Sequence, residues 1–286
     1  MEKTLHSSSL GRIGTFTLKP DELHFLDKGY VKRPIYVFPY NPIWIQHEFK
    51  TAFISDPSMI NFYNAAQVYE RKAVNLKGDS CLWFEPSIEL LQELLLDEQI
   101  SEEHFPANLF SQMNAQCPRD VFLLQLRILE NLNINNVDNF VKDELLIDEL
   151  VIKLNRAVFE IANKSIADEK PCINNKKHSL IEDIKQSVLE NIEKNMSLKT
   201  LAEKHFISPY HLSRLFKKIT GVGLCDYRIE LRNRMVAINI QADDRDLSDL
   251  AFDYGYSSHS HLTANFKASF KCTPSNFSYS RFAASS

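Results

Sequence analysis

The first part of the chain alternates apolar and polar side chains with the two-residue period of a β-strand. Ile43, Ile45, His47 and Phe49 alternate with Trp44, Gln46, Glu48 and Lys50, as expected of a strand with one buried face. Similar short runs lie near 12–18, 59–63, 67–74 and 80–84. The pairs Asp56-Pro57 and Gly78-Asp79 are typical of turns between such runs. The pattern predicts a small sheet or partial barrel.

Helical periodicity replaces the alternation from Ser87 onward. Apolar stripes recur every three or four residues over 88–95, 121–132 and 138–163. The last stripe predicts one long helix from Asp138 to Asn163 with an apolar arc wider than one packing contact needs. We therefore expect this helix to form a dimer interface, the alternative being that it packs on its own sheet. The interface residues would be Leu146, Leu150, Val151, Leu154 and Val158.

Two short helices joined by a tight turn are predicted after a polar stretch that ends near residue 178. The first helix covers Ser197–His205, and the second begins at Ser208-Pro209, because serine at an N-cap followed by proline favours a helix start. Gly221 is a natural stop. The second helix has a buried side, formed by Leu212, Leu215, Phe216 and Ile219. Its exposed side carries a polar, acid-free row of Tyr210, Ser213, Arg214 and Lys217.

The same pattern recurs about 50 residues later, which makes chance a poor explanation. Leu201-Ala202 repeats as Leu250-Ala251, and Ser208 repeats as Ser257, with a slip of one residue at this point. Leu212, Phe216 and Lys217 repeat as Leu262, Phe266 and Lys267. The exposed row repeats as Ser260, Thr263, Ala264 and Lys267. A helix predicted from Asp226 to Ile240 would hold the two copies apart.

Charge is divided unevenly along a chain whose net charge is −4. Residues 179–286 contain 14 Lys and Arg against 12 Asp and Glu, whereas the remainder is acidic. No acid occurs from Lys204 to Cys225 or from Tyr254 to Ser286. Two basic, acid-free segments in one helical region favour a polyanion as partner, although such segments are also found on ordinary solvated faces.

The segments LAEKHFISPYHLSRLFKKITG (201–221) and DLSDLAFDYGYSSHSHLTANFKASFKCTPSNF (246–277) resemble the AraC/XylS-type transcription regulators. This resemblance implies two recognition helices in adjacent major grooves of double-stranded DNA. It also implies an amino-terminal domain, cupin-like in many relatives, for effector binding or dimerisation. We therefore expect an α+β protein with an effector-binding or dimerisation domain at 1–164, a linker at 165–178 and a DNA-binding domain at 179–286. RNA polymerase and a second copy of the chain are expected partners, and the effector is unknown.

The residues expected to contact DNA lie on the two predicted recognition helices. Arg214 is best shaped for bidentate contact with guanine, whereas Lys217, Lys218 and Lys267 suit phosphates. Tyr210 could instead be a packing aromatic. The full set is Tyr210, His211, Ser213, Arg214, Lys217, Lys218, His259, Ser260, Thr263 and Lys267.

Four residues depart from the family pattern. Phe206 occupies the first turn, where glycine is common, and Lys271 stands where a glycine usually follows the last helix. Asn239 replaces an apolar residue of the linking helix. Ala264 stands where a relative can carry a long base-contacting side chain, so we expect the second recognition helix to read bases less than the first.

Other functional classes find little support in the sequence. Glycine makes up only 7 of 286 residues, and no glycine-rich phosphate-binding motif is present. Five scattered cysteines predict neither a disulfide framework nor a zinc ribbon, and His24, His47 and His104 lack metal-binding spacing. We therefore expect no enzymatic activity, metal or cofactor, no membrane segment, and a cytoplasmic location. An architectural DNA-binding protein without effector control is the alternative function.

Overall fold

A computed structural model describes residues 1–48, 50–97, 109–133, 143–163, 175–242 and 246–277. The chain forms two compact units, Met1–Ala167 and Asp168–Ser286. The first is rich in strands and the second is helical, so the predicted α+β fold class is confirmed. None of the described helices has the length and apolar character needed to cross a membrane.

The amino-terminal unit contains two antiparallel sheets. Its strands are β1 (Glu2–Ser8), β2 (Gly11–Leu18), β3 (Gly29–Tyr30), β4 (Ile35–Pro39), β5 (Ile43–His47), β6 (Phe53–Ser55), β7 (Met59–Tyr63), β8 (Val68–Ala73), β9 (Asp79–Pro86) and β10 (Asn114–Gln116). One sheet has the order β1-β2-β9-β4-β7-β10, and the other has the order β3-β8-β5-β6. In β5, Ile43, Ile45 and His47 are buried while Gln46 is exposed, which confirms the predicted alternation; Phe49 lies outside the described residues.

The long strands β2 and β9 pair from Gly11 opposite Pro86 to Leu18 opposite Asp79. Gly14 faces Trp83 across this ladder, and a Cβ atom at Gly14 would lie 2.2 Å from the indole ring. Only glycine leaves room for that indole. The close approach therefore fixes Trp83 against the neighbouring strand.

Three helices belong to the amino-terminal unit: α1 (Ile88–Asp97), α2 (Arg119–Asn133) and α3 (Glu144–Asn163). The apolar arc of α3 is buried within the unit, where α3 packs against α2, and Asn155 accepts a hydrogen bond from Tyr36 at 3.1 Å. Leu146 is half-buried, and Leu150, Val151, Leu154 and Val158 are buried. The prediction that this arc is a free dimer interface is therefore wrong, because the protein's own core covers it. Residues 138–142 of the predicted helix lie outside the described residues.

The carboxyl-terminal unit is built from six described helices: α4 (Asn175–Leu189), α5 (Leu198–Lys204), α6 (Pro209–Thr220), α7 (Leu224–Ala242), α8 (Leu247–Asp253) and α9 (His259–Phe270). Helix α4 begins inside the segment 165–178 that we expected to be a linker; residues 164–174 are not described. Helix α7 is longer than predicted and spans about 28 Å.

Arg232 of α7 is the centre of the polar contacts inside this unit. Its guanidinium donates to the carbonyl oxygens of Ile192, Lys194 and Gly255 and to Oδ1 of Asn195, at 2.6–3.2 Å. Burial lowers the pKa of Arg232. One buried cation thus ties the segment before α5 and the turn after α8 to the linking helix.

Asn239, which departs from the family pattern, also has a structural role in α7. Its Nδ2 donates to the hydroxyl of Tyr254 at 2.9 Å and to the carbonyl of Met235 at 2.8 Å. Asn233 lies six residues before Asn239 on the same helix. Its Oδ1 accepts a hydrogen bond from the hydroxyl of Tyr256 at 2.7 Å. Polar contacts of this kind link α7 to the second helix pair.

Candidate nucleic-acid interface

Helices α5 and α6 form the first helix-turn-helix pair. Ser197 caps α5 by accepting a hydrogen bond from the amide of Thr200, and Ser208 caps α6 by accepting from the amide of His211. Gly221 ends α6 with φ +82°. The predicted start and stop of α6 are confirmed. Phe206 lies in the turn with φ +54°, the left-handed conformation that usually selects glycine, and its side chain is 95% exposed.

The two sides of α6 differ as the spacing predicted. Leu212, Leu215, Phe216 and Ile219 are buried, and Phe216 packs against Tyr227 of α7 with ring centroids 5.3 Å apart. The residues predicted to contact DNA are all exposed: Tyr210, His211, Ser213, Arg214, Lys217 and Lys218. The side of α6 that faces solvent is therefore polar and basic.

Tyr210 and Arg214 form a pair that sequence analysis had treated as two separate residues. Nη1 of Arg214 donates to the Tyr210 hydroxyl at 3.0 Å, and the guanidinium carbon lies 5.5 Å from the ring centroid. The i, i+4 spacing on a helix was the signal that could have indicated this contact. Because the ring supports the guanidinium, Tyr210 restricts the directions in which Arg214 points.

Helices α8 and α9 form the second pair. Gly255 in the turn has φ +70°, and Lys271 ends α9 in the left-handed conformation with φ +63°. Ser258 caps α9 by accepting from the amide of His261, so the expectation that Ser257 repeats Ser208 is wrong. The second turn is one residue longer than the first, which moves the cap. Ser257 instead lies with its hydroxyl 3.0 Å from Nδ1 of His261.

The exposed face of α9 offers shorter side chains than that of α6. His259, Ser260, Ala264 and Lys267 are exposed, whereas Thr263 is only half-exposed. Oγ1 of Thr263 is buried and has no hydrogen-bond partner among the described residues. At the place where α6 carries Arg214, α9 thus presents the methyl group of Ala264.

The basic residues of both helices are free to bind anions. Arg214, Lys217, Lys218 and Lys267 have no ion-pair partner within the described parts of the chain. Cations on an acid-free surface attract the phosphates of a nucleic acid. Both helices therefore combine an anchoring charge with side chains that could reach base edges.

The histidines considered as metal ligands are placed in different settings. His24 is exposed, with Nδ1 2.7 Å from Oδ2 of Asp27, and His104 lies outside the described residues. His47 is buried between aromatic rings, and burial lowers its pKa to about 4. Across the described residues, no three His, Cys, Asp or Glu side chains are grouped as a metal site.

Comparison with known proteins places the carboxyl-terminal unit among DNA-binding regulators. A helix-turn-helix domain model matches residues 201–279. The probable transcription factor PqrA of Proteus vulgaris is 33% identical over 101 residues, which cover 35% of this chain and 83% of PqrA. The regulatory protein SoxS of Escherichia coli K12 is 29% identical over 98 residues, which cover 34% of this chain and 92% of SoxS.

A solved structure, fatty-acid-bound ToxT from Vibrio cholerae, covers 96% of both chains with 12% identity and a TM-score of 0.37. The match to PqrA and the helix-turn-helix match at residues 201–279 together show the family of this chain. The chain belongs to the AraC/XylS-type family of helix-turn-helix transcription regulators.

Proposed function

We propose that this regulator reads a specific DNA site by placing α6 and α9 in successive major grooves. The observation that carries the proposal is the acid-free face of α6, on which Tyr210 supports Arg214. An α-helix fits the major groove, and a guanidinium can bind guanine through two hydrogen bonds. Helix α7, about 28 Å long, is a rigid spacer on the scale of the roughly 34 Å groove repeat.

The other candidate residues have distinct proposed roles. Lys217, Lys218 and Lys267 bind phosphates, because an ammonium group anchors the protein without selecting a base. His211, Ser213, His259, Ser260 and Thr263 lie on the same two helices and contribute further contacts. The contribution of Thr263 requires a side-chain rotation, since its hydroxyl is enclosed.

The amino-terminal unit is proposed to bind a small-molecule effector that controls DNA binding. A cavity of about 470 Å³ between its two sheets supports this role. A homodimer and contact with RNA polymerase are proposed on the basis of the family alone, with a dimer surface other than the apolar arc of α3.

Replacing Arg214 with alanine is expected to weaken specific binding by about 1–3 kcal/mol and to relax the preference at one base pair. The measurement is a gel-shift titration at fixed salt, using a DNA site selected by the full chain from a random library. Lys218→Ala is the matched control, because loss of a phosphate contact should weaken binding to specific and non-specific DNA equally. Unchanged affinity and preference in Arg214→Ala would contradict the assignment.

A salt titration separates this function from that of an architectural DNA-binding protein. A regulator that reads bases retains its site preference as salt is raised, although its overall affinity falls. An architectural protein that depends on phosphates loses most of its binding and shows no preference.

A further inference from the structure

The cavity in the amino-terminal unit has mainly apolar and aromatic walls. One sheet supplies Phe16, Val37, Tyr63 and Trp83, and the other supplies Ile43, Ile45 and Tyr69. The rings of Tyr63 and Tyr69 lie 5.0 Å apart between their centroids. A volume of about 470 Å³ lies within the range of small-molecule sites in proteins. The walls are suited to the flat face of a ring compound.

Besides Arg71, whose Nε and Nη1 also lack hydrogen-bond partners, two residues that line this cavity carry buried polar atoms without such partners among the described residues. Nε1 of Trp83 has no hydrogen-bond acceptor, and Oδ1 of Asn61 has no donor, within the described residues. Both side chains are at least nine-tenths buried. Nδ2 of Asn61 is already bonded to Ser55, which leaves the carbonyl oxygen as its unsatisfied atom. Buried polar atoms in native proteins normally have a partner, so these two atoms indicate what a ligand would supply.

The buried charges of the cavity, those of Arg71 and Asp79, form an ion pair. The buried guanidinium of Arg71 lies 3.4 Å from the carboxylate of Asp79, donates to the hydroxyl of Tyr69 at 3.1 Å and stacks 4.8 Å from the centroid of Phe16. Nearer solvent, Arg12 and Arg33 share the carboxylate of Glu85, and Lys32 and Glu2 are exposed, so the lining as a whole has one more cation than it has anions. A ligand carboxylate would lie beside Asp79, and a ligand cation would lie beside Arg71. Beside this buried pair, either charge would lose its hydration without gaining an unpaired counter-ion.

We propose that the cavity binds an uncharged ring compound that presents a hydrogen-bond acceptor to Nε1 of Trp83 and a donor to Oδ1 of Asn61. Amides of aromatic or heteroaromatic rings have this combination of a flat apolar face, an acceptor and a donor. The inference rests on the proposed effector-binding role of this unit and adds the chemical class of the ligand.

Fluorescence of Trp83 provides the test, because the chain has only two tryptophans. Trp44, which does not line the cavity, is replaced with phenylalanine in the full chain so that Trp83 is the sole reporter. The probes are two matched pairs, 4-hydroxybenzamide with 4-hydroxybenzoate and nicotinamide with nicotinate, together with decanoate as an aliphatic anion. We expect at least one amide to saturate below about 1 mM and its acid to bind at least about tenfold more weakly. Acids or decanoate binding as tightly as the amides, or no saturation by either amide, would overturn the proposal.

Titration calorimetry with Trp83→Phe tests the role of the indole N–H, because phenylalanine keeps an aromatic wall. The amide affinity should fall about five- to tenfold, while Trp44→Phe, the same exchange outside the cavity, leaves it unchanged. If circular dichroism shows that Trp83→Phe does not fold, Asn61→Leu is tested in its place. The amide affinity of that variant is expected to fall by the same factor. Unchanged amide affinity in the folded variant refutes the assigned contact.

Gel shifts of the full chain, with and without the amide, separate this proposal from the proposed function. Amide binding that leaves DNA affinity unchanged supports the ligand class and contradicts effector control. Intact, specific DNA binding by a chain that binds no amide overturns the ligand class alone.

Discussion

Replacing Arg232 with methionine is expected to lower the free energy of unfolding of the carboxyl-terminal unit by about 3–5 kcal/mol. The guanidinium, 4% exposed as a residue, donates to three backbone carbonyls and one side-chain amide. Methionine can fill much of the space but cannot donate, so four partly buried acceptors would lose this partner at once. Both the segment before α5 and the turn at Gly255 would be released from α7.

Arg228→Met is the matched control, because Arg228 makes one backbone contact, to the carbonyl of Met196 at 2.9 Å. Its loss should cost about 1 kcal/mol. Hydrogen exchange of the intact chain, followed by mass spectrometry, measures both variants through peptides from residues 191–195 and 254–256. Equal protection of these peptides in the wild type and Arg232→Met would contradict the role given to Arg232.

Replacing Leu154 with glutamate is expected to unfold the amino-terminal unit rather than to produce a folded monomer. Leu154 is fully buried, so the new carboxylate would be desolvated without a partner, at a cost of about 4 kcal/mol or more. Leu145→Glu on the same helix is the control, because Leu145 is 72% exposed and should change stability by about 0.5 kcal/mol or less.

Near-ultraviolet circular dichroism and tryptophan fluorescence report on this unit, since Trp44 and Trp83 both belong to it. Sedimentation of the same samples reports the oligomeric state. A folded, monomeric Leu154→Glu variant of an oligomeric wild type would contradict the burial of α3 and restore the interface first predicted from sequence.

The helix-turn-helix units could be predicted from sequence because their signals are local. Ser208 and Pro209 specify a helix start, Gly221 specifies a stop, and the i, i+3, i+4 spacing separates the buried Leu212 from the exposed Arg214. The sequence repeat predicted the second helix-turn-helix unit, but the N-cap of α9 is Ser258 and not Ser257. The repeat placed the one-residue slip at Ser257-Ser258, but because both residues are serines the sequence does not distinguish which of them caps α9.

The features missed by sequence analysis depend on contacts between distant residues. The wide apolar arc of α3 matched an interface as well as a core, and only the packing of α2 and Tyr36 against it decides between them. The cavity combines Asn61 and Trp83, which are far apart in the chain and meet through strand pairing. Pairing register is non-local, so periodicity predicts the strands without their order.

Saturation substitution of the base pairs in the selected DNA site, with gel shifts of the full chain at fixed salt, tests the two-groove account most directly. The account predicts two clusters of sensitive base pairs about 10 base pairs apart, one for α6 and one for α9. Substitutions in the α6 cluster, identified as the one in which Arg214→Ala relaxes the preference, should cost about 1–3 kcal/mol. Those under α9 should cost less, because Ala264 stands where α6 has Arg214. A single cluster, or larger costs under α9, would contradict the account.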